Sequence, residues 1–128
     1  MPITKDEIYH YLSEVKDAVR NNRYTIARNP NRQDNLDLFI DYVLDESDAK
    51  QILLSLETDD FSEIRQNDHV GYEYEKLYVF GKDIELTERF GNMRKRVSLY
   101  IKLNKLERKY VIVVSFHEQK YPLIYYFK

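Results

Sequence analysis

The spacing of apolar residues along this chain changes once, and that change constrains the fold more than any single motif. Up to about residue 56 they recur at three- and four-residue intervals, whereas from Leu77 they come in β-branched and aromatic runs of strand length. Helices followed by three or more sequential strands predict an α+β domain, with N-terminal helices packed against a C-terminal antiparallel β-sheet. With 128 residues and 43% hydrophobic content, residues 1–128 are expected to form one domain around one core.

Thr4-Lys5-Asp6-Glu7 reads as a capping box, in which the threonine hydroxyl accepts from the third amide and the glutamate reaches back to the cap. Behind it Ile8, Leu12, Val15 and Val19, flanked by Tyr11 and Ala18, give a helix one apolar face as far as Arg20, and Asn21-Asn22 ends it. Residues 24–27 read as a short strand, and residues 28–35, with Pro30 and three asparagines, as a loop. Two further helices are expected at 36–44 and 49–56, separated by Asp45-Glu46-Ser47-Asp48, whose oxygens suit a helix start. Strands are expected at 77–80, 97–103 and 110–116. Residues 104–109 are too short a link for a parallel crossover, so the last two strands should form a hairpin. Pro122 interrupts the tyrosine-rich stretch 121–128, which reads as an edge strand or an extended arm.

Several classes of chemistry lack the residues they need. Without cysteine there is no disulfide, thiol nucleophile or thiolate metal site, and only three glycines leave no phosphate-cradling loop. His117-Glu118 lacks a second histidine at helical spacing and Asp59-Asp60 has no partner motif, so neither a metal nor a cofactor is expected. No apolar run is long enough to span a bilayer and residues 1–16 contain no signal-peptide core; a cytoplasmic location with no membrane partner is the expectation.

The net charge of −2 conceals a strong asymmetry. Residues 1–64 carry 7 basic against 14 acidic side chains, while residues 65–128 carry 13 against 8. Arg89, Arg94, Lys95, Arg96, Lys102, Lys105, Arg108 and Lys109 follow one another with a single acid, Glu107, among them. Closely spaced cations displace condensed counterions from nucleic acid, so this run is a candidate RNA-binding surface or else a solvated hairpin.

Within the strand 97–103, alternation puts the four aliphatics on one face and Ser98, Tyr100 and Lys102 on the other. On the following strand Val111, Val113, Ser115 and His117 are expected to share a face, and pairing brings His117 near Tyr100 or Lys102 if the register permits. An ordinary solvated sheet face is the competing reading. His10 and His69 read as incidental. Imidazole titrates near neutral pH, and His117, at the end of an apolar strand, is both anchored and open to solvent.

Leu99-Tyr100-Ile101-Lys102-Leu103 followed by Val111-Ile112-Val113-Val114-Ser115-Phe116-His117 resembles the closing hairpin of the MqsR family of RelE-like ribonuclease toxins. Glu14-Val15-Lys16, Ile52-Leu53-Leu54-Ser55-Leu56 and Asp60-Phe61 are similar to that family's helical half, so the resemblance spans roughly residues 4–118. The ending Ser115-Phe116-His117-Glu118 through Tyr121-Pro122-Leu123 looks like the Gram-positive branch. The resemblance implies a RelE-like fold, cleavage of mRNA and neutralisation by a cognate antitoxin. The family's strand tyrosine falls on Tyr100 and its C-terminal basic residue on His117, but its second catalytic lysine falls on Glu63, with Arg65 close enough to supply the cation. The family's glutamine has no match here, so no RNA sequence preference carries over.

The function expected on this basis is RNA cleavage by attack of a 2'-hydroxyl on the adjacent phosphate, which needs a base, an acid and charge stabilisation. His117 would transfer a proton, Tyr100 would transfer or orient one, and Lys102 with Arg65 would stabilise the phosphorane. Acid and base are not divided between them. Two alternatives stand beside this reading. One is a non-enzymatic protein-binding module, such as a degenerate toxin or phage-type inhibitor, which Glu63 supports; the other is an RNA-binding protein that uses the basic hairpin and exposed tyrosines.

Overall fold

The computed structural model describes residues 2–28, 32–107 and 109–128. Helix α1 spans Lys5–Arg20 and buries Ile8, Tyr11, Leu12, Val15, Ala18 and Val19, the face its spacing marks out. The Thr4 hydroxyl accepts from the Glu7 amide at 3.1 Å, so the threonine half of the capping box forms. Asn22 ends the turn at φ 59°, a left-handed conformation asparagine tolerates better than most residues. Strand β1 follows at Tyr24–Ile26.

Helices α2 (Gln33–Asp41) and α3 (Glu46–Leu54) begin about three residues earlier than the apolar spacing suggests. Apolar spacing locates a helix's buried face, whereas its first turn is polar. In α3, Asp45 and Asp48 each accept from the other's amide, closing a capping box. The loop expected at 28–35 is cut short by α2, and its Pro30, Asn29 and Asn31 lie outside the described residues.

After a 3-10 turn at Thr58–Asp60 come β2 (Phe61–Gln66), β3 (Lys76–Thr87), β4 (Arg94–Lys105) and β5 (Val111–Glu118). The five strands form one sheet in the order β1-β5-β4-β3-β2. Strands β2 to β5 pair antiparallel, and β4 and β5 form the expected hairpin, though Asn104 and Lys105, expected in the link, are the last residues of β4 and pair with Ile112 and Val111. The sheet is nonetheless mixed and not wholly antiparallel, because β1 runs parallel to β5 with Tyr24 opposite Val111. This pairing is available because the connection from β1 to β5 is long, holding α2, α3 and the other three strands, so the chain can return and enter β5 in the same direction.

Helix and sheet meet in one apolar cluster in which Phe61, Phe80 and Phe116 are fully buried beside Ile8, Val15 and Leu53. Truncating one such phenylalanine costs about 3–5 kcal/mol. All three helices contribute to this cluster, so one side of the sheet is covered and the other is left to form a site. Residues 121–128 form no strand and run as an arm. The Tyr126 amide donates to the Phe61 carbonyl at 3.0 Å, and the Ser62 hydroxyl donates to the Ile124 carbonyl at 2.7 Å. The Tyr125 hydroxyl sits where a Cβ on Gly81 would be, so the missing side chain there lets the arm approach β3. Among the described residues, no helix is long and apolar enough to cross a membrane.

Candidate functional site: a groove on the open face of the sheet

An irregularity in β5 decides which side chains reach this face. Val111 and Val113 belong to the core, and the next core residue is Phe116, three positions on and so out of phase with simple alternation. The pairing slips at this point: Lys102 faces Ser115 and Leu103 faces Val113, leaving Val114 as the extra residue of a β-bulge. Asn35, 1% exposed, holds the bulge. Its Oδ1 accepts from the Phe116 amide at 2.7 Å, and its Nδ2 donates to the carbonyls of Val114 at 3.1 Å and Ala27 at 2.7 Å. Uninterrupted alternation would put Val111, Val113, Ser115 and His117 on one face. The bulge separates them: the two valines stay in the core, while Ser115 and His117 turn to the face of their partners Lys102 and Tyr100.

Tyr100 and His117 are directly opposite and their rings stack, with centroids 5.2 Å apart and planes 11° from parallel. His117 Nδ1 lies 2.7 Å from the Glu118 carbonyl oxygen, which can only accept; Nδ1 therefore carries the hydrogen, and in the neutral ring Nε2 keeps the lone pair. Tyr100, Lys102 and Arg65 line one open groove of about 700 Å³, together with Arg32, Asn104 and Tyr121. His117 lies behind Tyr100 and lines a smaller hollow of about 180 Å³ beside Asp34, Asp37 and Lys120.

The groove's charges are interdependent. Burial, followed by the guanidinium groups of Arg32 and Arg65, holds the Lys102 ammonium below the usual lysine range. Burial raises the Tyr100 phenol above its usual value, partly opposed by Arg65, so it remains a proton donor at neutral pH. Arg65 pairs with Glu63 at 3.0 Å. The acid standing where the resemblance calls for a lysine thus neutralises the nearby cation.

The basic run does not form one patch. Arg94 and Arg96 point to the groove side, where they pair with Glu85 at 3.9 Å and Asp83 at 3.2 Å. Lys105 lies on the helix side, 3.3 Å from Glu14 and over the Tyr11 ring. Lys95 faces Leu86 of the core side and is exposed. The Arg89 guanidinium donates to the carbonyls of Phe39, Ile40 and Tyr42, closing the end of α2. Lys109 occupies an exposed left-handed turn at φ 58°, and Arg108 lies outside the described residues. Chain order alone cannot anticipate this dispersal, because strand alternation sends neighbouring cations to opposite faces. Arg32 and Tyr121 went unrecognised as site residues: Arg32 belongs to the acidic half, and a tyrosine in an irregular arm carries no periodic signal.

No protein-family model, curated protein or solved structure matches this chain. The functional reading therefore rests on the groove and on the resemblance of residues 99–117. Among the described residues, no three histidine, aspartate or glutamate side chains converge as a metal site.

Proposed function

We propose that this chain is an mRNA-cleaving endoribonuclease of the RelE-like kind, the toxin of a type II toxin–antitoxin pair. The observation that carries the reading is that Tyr100, Lys102 and Arg65 line one open groove while His117, which borders a second hollow, stacks on Tyr100 from behind. In the reaction, the 2'-oxygen attacks the adjacent phosphorus and the bond to the 5'-oxygen breaks, leaving a 2',3'-cyclic phosphate and a 5'-hydroxyl. His117, with a lone pair on Nε2, takes the 2'-hydroxyl proton, and Tyr100, a phenol that is protonated at neutral pH, supplies one to the departing 5'-oxygen. Lys102 and Arg65 balance the extra negative charge on the phosphorane, an electrostatic contribution that is strongest when the donors are already in place. Nothing in this sequence of steps calls on a metal ion or cofactor. An antitoxin covering the groove would block it by occlusion.

The test is incubation of the purified protein with single-stranded RNA in the presence of a chelator. Fragments ending in 2',3'-cyclic phosphate support the proposal; intact RNA, or cleavage that the chelator abolishes, overturns it. One observation favours a second reading, a non-enzymatic binding module: Glu63 holds Arg65 in an ion pair and offsets one of the three cations, with Arg32 and Lys102, that line the groove. An inactive protein that still binds the product of the neighbouring gene would establish that alternative.

A further inference from the structure

Tyr121 is 70% exposed, yet the backbone on either side of it is fastened. Lys120 pairs with Asp34 at 2.8 Å. The Gln119 amide donates to the Ser98 carbonyl at 2.8 Å, its side chain donates to the Leu99 carbonyl at 3.0 Å, and its Oε1 accepts from the Leu123 amide at 3.3 Å. The ring of Pro122 fixes that residue's own φ and restricts the backbone of Tyr121 before it. An aromatic ring left in water on a fastened backbone adds little to the fold. It does offer a preformed flat surface whose ordering cost has been met before a ligand arrives.

The location of that surface identifies what it would take. Tyr121 lines the groove with Arg65, Tyr100 and Lys102, and also borders a second groove of about 670 Å³ under the arm, where Arg65 and Tyr100 appear again. It thus stands between the two grooves, with Arg65 lining both and Lys102 lining the first. A ring of this kind beside cations matches an unpaired nucleobase attached to its phosphate, since base stacking on aromatic side chains and backbone neutralisation are the two components of single-strand recognition. A paired base in an RNA duplex has both faces covered by its neighbours and offers none to Tyr121.

We infer that Tyr121 is a nucleobase-stacking residue and that the groove selects single-stranded RNA by stacking one base against it. The inference rests on the RNA reading above and adds a binding determinant to it. The test compares equilibrium binding of a fluorescent single-stranded RNA, and of the same strand annealed to its complement, by wild type, Tyr121→Ala, Tyr121→Phe and Arg65→Ala. Tyr121→Ala should weaken single-strand binding by roughly 5- to 100-fold without altering its salt dependence, and Tyr121→Phe should bind within about 2-fold of wild type. Arg65→Ala should instead flatten the salt dependence, as loss of a phosphate contact does. Thermal unfolding of Tyr121→Ala at the wild-type temperature accompanies the expected result, because the ring is exposed. Wild-type affinity in Tyr121→Ala, or equal affinity of wild type for duplex and single strand, overturns the stacking role while leaving ribonuclease activity standing. A wild-type protein that binds no RNA overturns both.

Discussion

The rings of Tyr100 and His117 face each other at 5.2 Å, with planes 11° from parallel. Their polar atoms lie in the ring planes, so the two groups do not hydrogen-bond through their stacked faces. Tyr100→Phe keeps the stack and removes only the hydroxyl; His117→Ala removes the imidazole. Each should lower RNA cleavage on the order of 100-fold while circular dichroism and thermal unfolding stay close to wild type. Undiminished cleavage by either variant contradicts its assignment.

Glu63→Gln releases Arg65 from its ion pair while preserving size. RNA binding should tighten by roughly 3- to 10-fold at low salt, with the gain shrinking as salt rises. Both partners of the pair are about half exposed, so the substitution should change stability by no more than about 0.5 kcal/mol. Titrating RNA at two ionic strengths checks both parts, and unaltered affinity at low salt would show that Glu63 is not restraining the groove.

Asn35 serves both the fold and the site. Asn35→Ala leaves the buried Phe116 amide and two partly buried carbonyls without their partner and should cost about 2–4 kcal/mol in urea unfolding. Asn35→Asp keeps the acceptor for Phe116 but, when ionised, opposes both carbonyls. Its folded-state pKa should therefore lie above the unfolded value, and the stability it retains in acid should be lost as pH rises through the folded value. Comparing this variant with wild type at each pH isolates the effect; an unchanged gap across the range would contradict it.

Alkali should loosen the protein through its tyrosines. Burial, and next the hydrogen bond to Glu118, push Tyr42 up to about 12 from its usual 10.0. Burial likewise raises Tyr11, Tyr78 and Tyr100. The folded chain keeps these protons when the unfolded chain has begun to release them, so their contribution is complete below pH 10 and is lost as pH climbs toward 12. Chemical denaturation followed together with tyrosinate absorbance tests this: unfolding should precede or accompany ionisation of these four tyrosines. Full ionisation of a still-folded chain would be the contrary result.

How much of this was legible in the sequence depends on which interaction fixed each element. Helix α1 was plain, since its cap and its apolar face are both local. Strand β2 was not, because Ser62, Glu63, Arg65 and Gln66 are polar and only pairing with β3 makes the segment a strand. The far half of β3 was hidden for a similar reason: Gly81, Lys82, Asp83 and Glu85 have low strand preference, and cross-strand partners such as Ser98 and Arg96 compensate for it. Hairpin logic put His117 near Tyr100 or Lys102 but did not fix the register that sets it opposite Tyr100, and the bulge was not legible at all. It depends on Asn35, 79 positions before Val114, and no local pattern reports a contact at that distance.

The parallel pairing of β1 with β5 governs the order of events during synthesis. Tyr24 leaves the ribosome long before its partner Val111 exists, and at roughly 5–20 residues per second the interval lasts several seconds. Through that time α1 and β1 must wait on an unfinished sheet, and the groove cannot assemble, since Tyr100 and His117 belong to the last two strands made. The groove of a nascent chain is therefore unformed until β5 has been translated.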